Sequence, residues 1–234
     1  MILYFGNINS NIKIGYSQLE QIHNIMIKNH EIIIASHFKN KLLRMSHMIY
    51  VFYKYLFRKK IVYVDTYSGK AFYYTLVISI LCKFHRINYI PICRGGKLGT
   101  RLNNNKILSK IIFSNSKTNY TPSKMLMSKL KENNFNCKYV PNFIKTKDYK
   151  SRVRRHIRPK ILWVRAFHKM YNPIMAIETI NILKNKYPEI NLCMVGPDKD
   201  GSLKDCKNIA NEYDVTKNIK YTGYLWKNDW HELS

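Results

Sequence analysis

The chain has 234 residues, 46% of them hydrophobic, which is enough for one large or two modest cores, and 40 Lys+Arg against 14 Asp+Glu give it a formal charge of +26. Such an excess attracts phosphates, nucleic acid or anionic lipid, although the abundance of Lys, Asn, Ile and Tyr also fits compositional drift on a solvated surface. The five cysteines form no C-x-x-C pair, which argues against a disulfide framework or zinc site and for reduced thiols in a cytosolic protein, and the most apolar run, Tyr73 to Cys82, is about half the length of a membrane span.

MILYFGN lacks the basic start of a secretory signal, and Ile2 to Phe5 reads as a strand ending at Gly6-Asn7. A loop carrying Gly15 leads to a helix over Ser17 to Lys28, and Glu31 to Ser36 is the next strand. Lys41 to Lys60 is amphipathic, basic and aromatic. It suits an anionic membrane surface and equally suits an ordinary core-facing helix. Ile61 to Val64 is a strand whose end delivers Asp65, Thr66, Tyr67 and Ser68, where α/β sheets place functional side chains.

Ala71 to Phe84 is expected to be a buried helix, and Asn88 to Cys93 a strand that runs into Arg94-Gly95-Gly96-Lys97. The paired glycines allow close backbone approach and positive φ, and Arg94, Lys97 and Arg101 add positive charge. A tight turn would need the same glycines. Further elements are a helix over Leu102 to Phe113, a strand over Asn119 to Thr121, a helix from Pro122-Ser123 to about Asn133, and a strand over Cys137 to Val140 closed by Pro141-Asn142. The basic stretch from Lys145 to Pro159 has scarcely any apolar pattern and is expected to link two domains.

Ile161 to Val164 reads as a strand buried on both faces, followed by a loop with Arg165, His168 and Lys169. Asn172 is the expected cap and Pro173 the first residue of a helix patterned by Ile174, Ile177, Ile180 and Leu183, and Ile190 to Val195 is a strand closed by Gly196-Pro197. Two cations just ahead of a helix can clamp a phosphate or diphosphate. Solvated loop cations are the plainer account. A helix over Ser202 to Tyr213 and a strand over Asn218 to Thr222, ending at Gly223-Tyr224, follow. The alternation of strands and helices is that of an α/β chain with parallel sheets.

The order of DTYSGKAFYYT (65–75), YIPICRGGKLGTR (89–101), YTPSKMLMSKLKENNF (120–135), YVPNFI (139–144), ILWVRAFHKMYNP (161–173), LCMVGPDKDG (192–201) and IKYTGYL (219–225) resembles the family 4 retaining glycosyltransferases of the GT-B fold. The resemblance implies two Rossmann-like domains facing a cleft: an acceptor-side domain over 1–145, a basic linker over 146–159, and a partial donor-side domain over 160–234. It implies transfer of a sugar from a nucleotide-sugar to a hydroxyl acceptor with retention, Arg165 and Lys169 holding the leaving diphosphate as the catalytic pair.

Gly196 and Gly223 join them on the donor side, while Gly15, Asp65, Tyr67, Ser68, Arg94, Gly95 and Gly96 line the acceptor side. No metal or cofactor is implied. Arg94 stands where many members have His, Met170 where relatives often have Gly, and the family's acidic E-x(7)-E segment would lie beyond Ser234, so the second domain is expected to be truncated, which leaves an inactive chain as one outcome. The implied role is cell-surface polysaccharide synthesis at the cytoplasmic membrane face, on a lipid-linked or saccharide acceptor and without specific nucleic-acid partners. The alternative class, a non-catalytic nucleic-acid-binding protein, rests on the net charge and the Arg152 to Arg158 run. A nucleotide-dependent oxidoreductase would need the G-x-G-x-x-G that is missing after the first strand.

Overall fold

The computed structural model describes residues 1–8, 17–142, 158–226, 229–230 and 233, and the chain divides into two compact units, Met1–Ile144 and Lys145–Ser234. Gly15 and the linker from 146 to 157 lie outside the described residues.

Unit 1 is built from short apolar runs rich in β-branched and aromatic residues, separated by helices that supply the long crossovers parallel pairing needs. Its strands are β1 (Ile2–Phe5), β2 (Ile32–Ala35), β3 (Ile61–Thr66), β4 (Tyr89–Cys93), β5 (Asn119–Thr121) and β6 (Cys137–Tyr139), all parallel in the order β2-β1-β3-β4-β5-β6. Side chains alternate across the sheet. Leu3 and Phe5 pack with Met48, Phe52 and Ile78 on one face, and Tyr4 packs with Leu19 and Ile32 on the other.

The helices of unit 1 are α1 (Gln18–Met26), α2 (Lys41–Lys54), α3 (Ala71–Phe84), α4 (Leu98–Asn104), α5 (Lys106–Ser114) and α6 (Lys124–Glu132). Local chemistry sets several of their starts. Ser17 and Glu20 form a reciprocal capping box on α1, Asn40 accepts the N–H groups of Leu42 and Leu43 on α2, and Ser123 accepts that of Leu126 on α6.

Two helices differ from expectation. Leu102 to Phe113 is not one helix, because Asn105 adopts φ −127° and ψ 57°, and the run Asn103-Asn104-Asn105 has side chains that compete for backbone hydrogen bonds. Nor is α3 buried all round: Phe72, Ile78 and Cys82 enter the core while Tyr73, Ile80 and Phe84 face outward.

Unit 2 has strands β7 (Lys160–Val164), β8 (Asn191–Val195) and β9 (Ile219–Gly223), parallel in the order β7-β8-β9, with helices α7 (Pro173–Leu183) and α8 (Ser202–Glu212). Its core gathers Phe167, Ile177, Ile180, Leu192, Met194, Cys206 and Ala210. The expectation that β7 is buried on both faces fails. Among the described residues it pairs only with β8, and Ile161 to Val164 are each half-buried. Asn172 precedes α7 as expected, with Pro173 at its start, but it sits in the left-handed region at φ 46° and its side chain makes no cap bond.

Candidate functional site

In unit 1 the strand order reverses between β1 and β3, and open parallel sheets bind ligands outside the carboxyl ends of their strands at such a point. Gly6 follows β1 there, β3 ends in Asp65 and Thr66, and β4 runs into Arg94. The Tyr4 hydroxyl donates to Asp65 Oδ1 at 2.9 Å, and Arg94 Nε donates to the same oxygen at 2.8 Å. Arg94 Nη1 also donates to Asn142 Oδ1 at 2.9 Å, and its Nη2 lies 3.4 Å from the Tyr4 hydroxyl oxygen.

The side chains of Arg94 and Asp65 are only 10% and 5% exposed, so this pair is held inside the protein. Burial pushes the Asp65 carboxyl up, opposed by the Arg94 charge and by the two hydrogen bonds. Burial opposes the Arg94 charge as well, but Asp65 and Tyr4 outweigh it and hold the guanidinium above its ordinary value. Gly6 leaves room for the carboxylate: a Cβ there would sit 2.8 Å from Asp65 Oδ2 and 2.7 Å from Leu19.

The next turn carries the glycine pair. Gly95 has φ +85°, which side-chain-bearing residues rarely adopt, while Gly96 borders open space. Tyr67 lies across from Gly95, and the carbonyl of Ser68 accepts a hydrogen bond from Arg101 Nη1 at 2.6 Å. The three cations expected to charge this loop do not act alike. Arg94 is neutralised by Asp65, the Arg101 guanidinium lies 4.3 Å from the Phe72 ring centre and 5.1 Å from that of Tyr73, and Lys97 is exposed. The structure thus brings Asp65 and Arg94 into one network with Tyr4 and Asn142, with Tyr67 and Gly95 beside it, whereas Ser68 is held by Arg101 and Gly96 borders open space.

In unit 2 the carboxyl ends of all three strands meet. Arg165 N–H donates to the Val195 carbonyl at 2.9 Å, and Gly196 N–H to the Gly223 carbonyl at 2.8 Å. Gly196 has no substitute here: at φ +153°, a Cβ would fall 1.6 Å from the Arg165 carbonyl oxygen. Gly223, at φ +70°, borders open space. The exposed Arg165 guanidinium stacks 4.9 Å from the centre of the Tyr171 ring.

Lys169 opens a 3-10 turn over Lys169–Tyr171, and its own N–H donates to Asp200 Oδ2 at 2.9 Å while its side chain is exposed. His168, in the same loop, accepts the Met170 N–H on Nδ1 at 3.1 Å. Hydrogen bonds from Ser202 and then Lys169 hold the Asp200 carboxyl down to about 2.

Sequence reasoning missed Tyr4, Asn142, Tyr171 and Asp200. The available signal for Asp200 was two carboxylates and a glycine, Asp198-Lys199-Asp200-Gly201, directly after a strand in a chain with few acids. Tyr4 gave a weaker signal, as the polar-tipped residue of an otherwise aliphatic and aromatic strand. Among the described residues, no three His, Cys, Asp or Glu side chains converge as metal ligands.

Residues 145–234 match the family described as Glycosyl transferases group 1. Among solved structures, the chain is similar to Anabaena HepE in complex with UDP, with a TM-score of 0.72 and 11% identity over 99% of this chain and 71% of that one. It is also similar to the lipopolysaccharide outer core galactosyltransferase WaaB in its apo form, with a TM-score of 0.59 and 12% identity over 100% of this chain and 70% of that one. For a glycosyltransferase from Rickettsia africae ESF-5 the TM-score is 0.61 and the identity 16%, over 99% of this chain and 69% of that one. No curated protein matches by sequence. The fold is therefore the α/β fold of GT-B glycosyltransferases, spanning about 70% of the length of such a chain.

Proposed function

We propose that this chain works as a retaining glycosyltransferase, binding the diphosphate of a nucleotide-sugar through unit 2 and a hydroxyl acceptor through unit 1, in the synthesis of a cell-surface polysaccharide. The observation that carries the reading is the meeting of three strand ends at Arg165, Gly196 and Gly223, with two exposed cations, Arg165 and Lys169, in the loop after β7. Negative charge builds on a diphosphate as it leaves, and fixed cations aimed at it stabilise the transition state more than the ground state. Arg165 supplies a planar donor fork and Lys169 a compact charge, so the two suit different oxygens of one diphosphate.

The donor enters here as a substrate, with no cofactor in the proposal. The fit of residues 145–234 to the group 1 glycosyltransferases and the likeness to HepE, solved in complex with UDP and with UDP-glucose, support a nucleotide-sugar donor. In unit 1, the Asp65, Arg94 and Tyr4 network and the Gly95-Gly96 turn would line the acceptor, a saccharide or lipid-linked glycan. A working place at the inner face of the membrane fits the basic, aromatic outer surface of α2.

Calorimetric titration of the full chain with UDP tests the donor assignment. Arg165→Ala and Lys169→Ala should each weaken binding by about tenfold, the scale of one charge-assisted hydrogen bond. An affinity in both variants unchanged from that of the unaltered protein would make the loop structural.

A further inference from the structure

Resting on the donor-site reading of unit 2, we infer that Asp200 is a positioning residue that pins the backbone of Lys169 and so fixes where its ammonium meets the diphosphate. The carboxylate uses both oxygens at once. Oδ2 accepts the Lys169 N–H at 2.9 Å, while Oδ1 accepts the Ser202 N–H at 3.2 Å and the Ser202 hydroxyl. One side chain thereby ties the loop after β7 to the start of α8.

The surrounding backbone makes this tie stiff. Phe167 N–H donates to the Pro197 carbonyl at 2.9 Å, Lys199 N–H donates back to the Phe167 carbonyl at 3.0 Å, and Phe167 itself is buried in the core of unit 2. Asp198 Oδ1 accepts the Gly201 N–H at 3.0 Å, with the Asp200 N–H at 3.4 Å, and so fixes Asp200 in turn. The path therefore runs from the core through Phe167 and Asp198 to Asp200, and ends on the first residue of the 3-10 turn.

His168 does not share this role. Its Nδ1 lies 3.5 Å from Asp200 Oδ2 but already accepts the Met170 N–H, so in that tautomer it has no proton on Nδ1 to give the carboxylate. A lysine side chain is long and flexible, and its reach toward a fixed group depends on where its backbone starts. Misplacing a catalytic group by about 1 Å can cost on the order of 10² in rate.

The competing account is that Asp200 only caps α8, and substitution separates the two. Serine at this position can still accept the Ser202 N–H locally but is too short to reach Lys169. Asparagine has one acceptor oxygen, so it can satisfy Ser202 or Lys169 but not both. The test uses Asp200→Ser and Asp200→Asn in the full chain, with urea unfolding, amide hydrogen exchange at Lys169, and titration with UDP as the probe.

For Asp200→Ser the expected result is an unfolding midpoint near that of the unaltered protein, with exchange at Lys169 and UDP dissociation each increased by about tenfold, the equivalent of one charge-assisted hydrogen bond. The affinity loss should not add to that of Lys169→Ala, since both act through one ammonium. Unchanged exchange at Lys169 in both variants overturns the inference, whatever UDP does. Faster exchange combined with an unchanged UDP affinity in Lys169→Ala upholds the pinning and overturns the donor-site reading instead.

Discussion

Arg94 and Asp65 illustrate how differently a residue behaves once its partners are known. In the sequence Arg94 is one more cation beside two glycines. In the fold it is a buried ion pair, with its Nε 2.8 Å from Asp65 Oδ1 and its Nη1 on Asn142. Removing water from both charges is costly, and the pair persists because Tyr4 and Asn142 satisfy more of its hydrogen-bonding capacity. Arg94→Met should therefore cost about 3–5 kcal/mol in urea unfolding, by leaving the Asp65 carboxylate buried without its partner. Adding Asp65→Leu should restore part of that loss, because the buried charge is gone while the Tyr4 hydroxyl, which donates to Asp65, loses its acceptor. A loss below about 1 kcal/mol in the single variant would mean that water already reaches the carboxylate. Gly196 is the opposite case: its sequence signal was only a strand-ending Gly-Pro, whereas the 1.6 Å approach of Arg165 to a Cβ there leaves no freedom of choice.

At the scale of elements, α2 resolves an ambiguity that its sequence left open. Met48, Val51 and Phe52 enter the core, so the helix is an ordinary core-facing one on that side. Its other side is not ordinary: Leu42 is 79% exposed, Leu43, Tyr50 and Tyr53 are exposed at helical spacing, and Phe57 just beyond the helix is 98% exposed. At the end of α3, Phe84 is 79% exposed and packs edge-on against His85, which in turn meets Tyr53 at 5.6 Å between ring centres.

Lys54, Arg58 and Lys59 are exposed at and just beyond the end of α2, Arg58 being ion-paired to Glu31 at 2.6 Å. Apolar side chains flanked by cations can insert into an anionic lipid surface, each cation contributing about 1 kcal/mol near the headgroups. Replacing Leu42 and Phe57 together by Ser should weaken co-sedimentation with phosphatidylserine-containing vesicles, and binding by the unaltered protein should fall as salt rises. Undiminished binding to neutral vesicles at high salt would separate this surface from any membrane role.

The charge of the whole molecule invites the rival reading of a nucleic-acid binder. An α/β fold with parallel sheets offers no dedicated groove-reading helix or base-stacking platform among the described residues, so phosphate attraction is all the charge provides. Fluorescence anisotropy with duplexes of unrelated sequence should give equal affinities, on the order of 10⁻⁴ to 10⁻⁶ M at physiological salt, falling steeply as salt is added. A tight, sequence-selective complex would favour the rival.

Much of this architecture was legible beforehand, because runs such as ILYF, IIIA and NLCMV alternate with helical patterns, and that alternation dictates a parallel sheet with crossover helices. Local capping by Ser17, Asn40 and Ser123, and the positions of Gly95, Gly196 and Gly223 at strand ends, were also set by local chemistry. Tertiary structure alone decided that Arg94 would pair with Asp65, that β7 would pair with β8 alone among the described residues, and that Asp200 would reach Lys169, 31 positions away. Those outcomes depend on which strand ends come together in space. Residue type and spacing specify a strand or a cap locally, but the partner of a buried charge is chosen by the register of chains far apart in sequence.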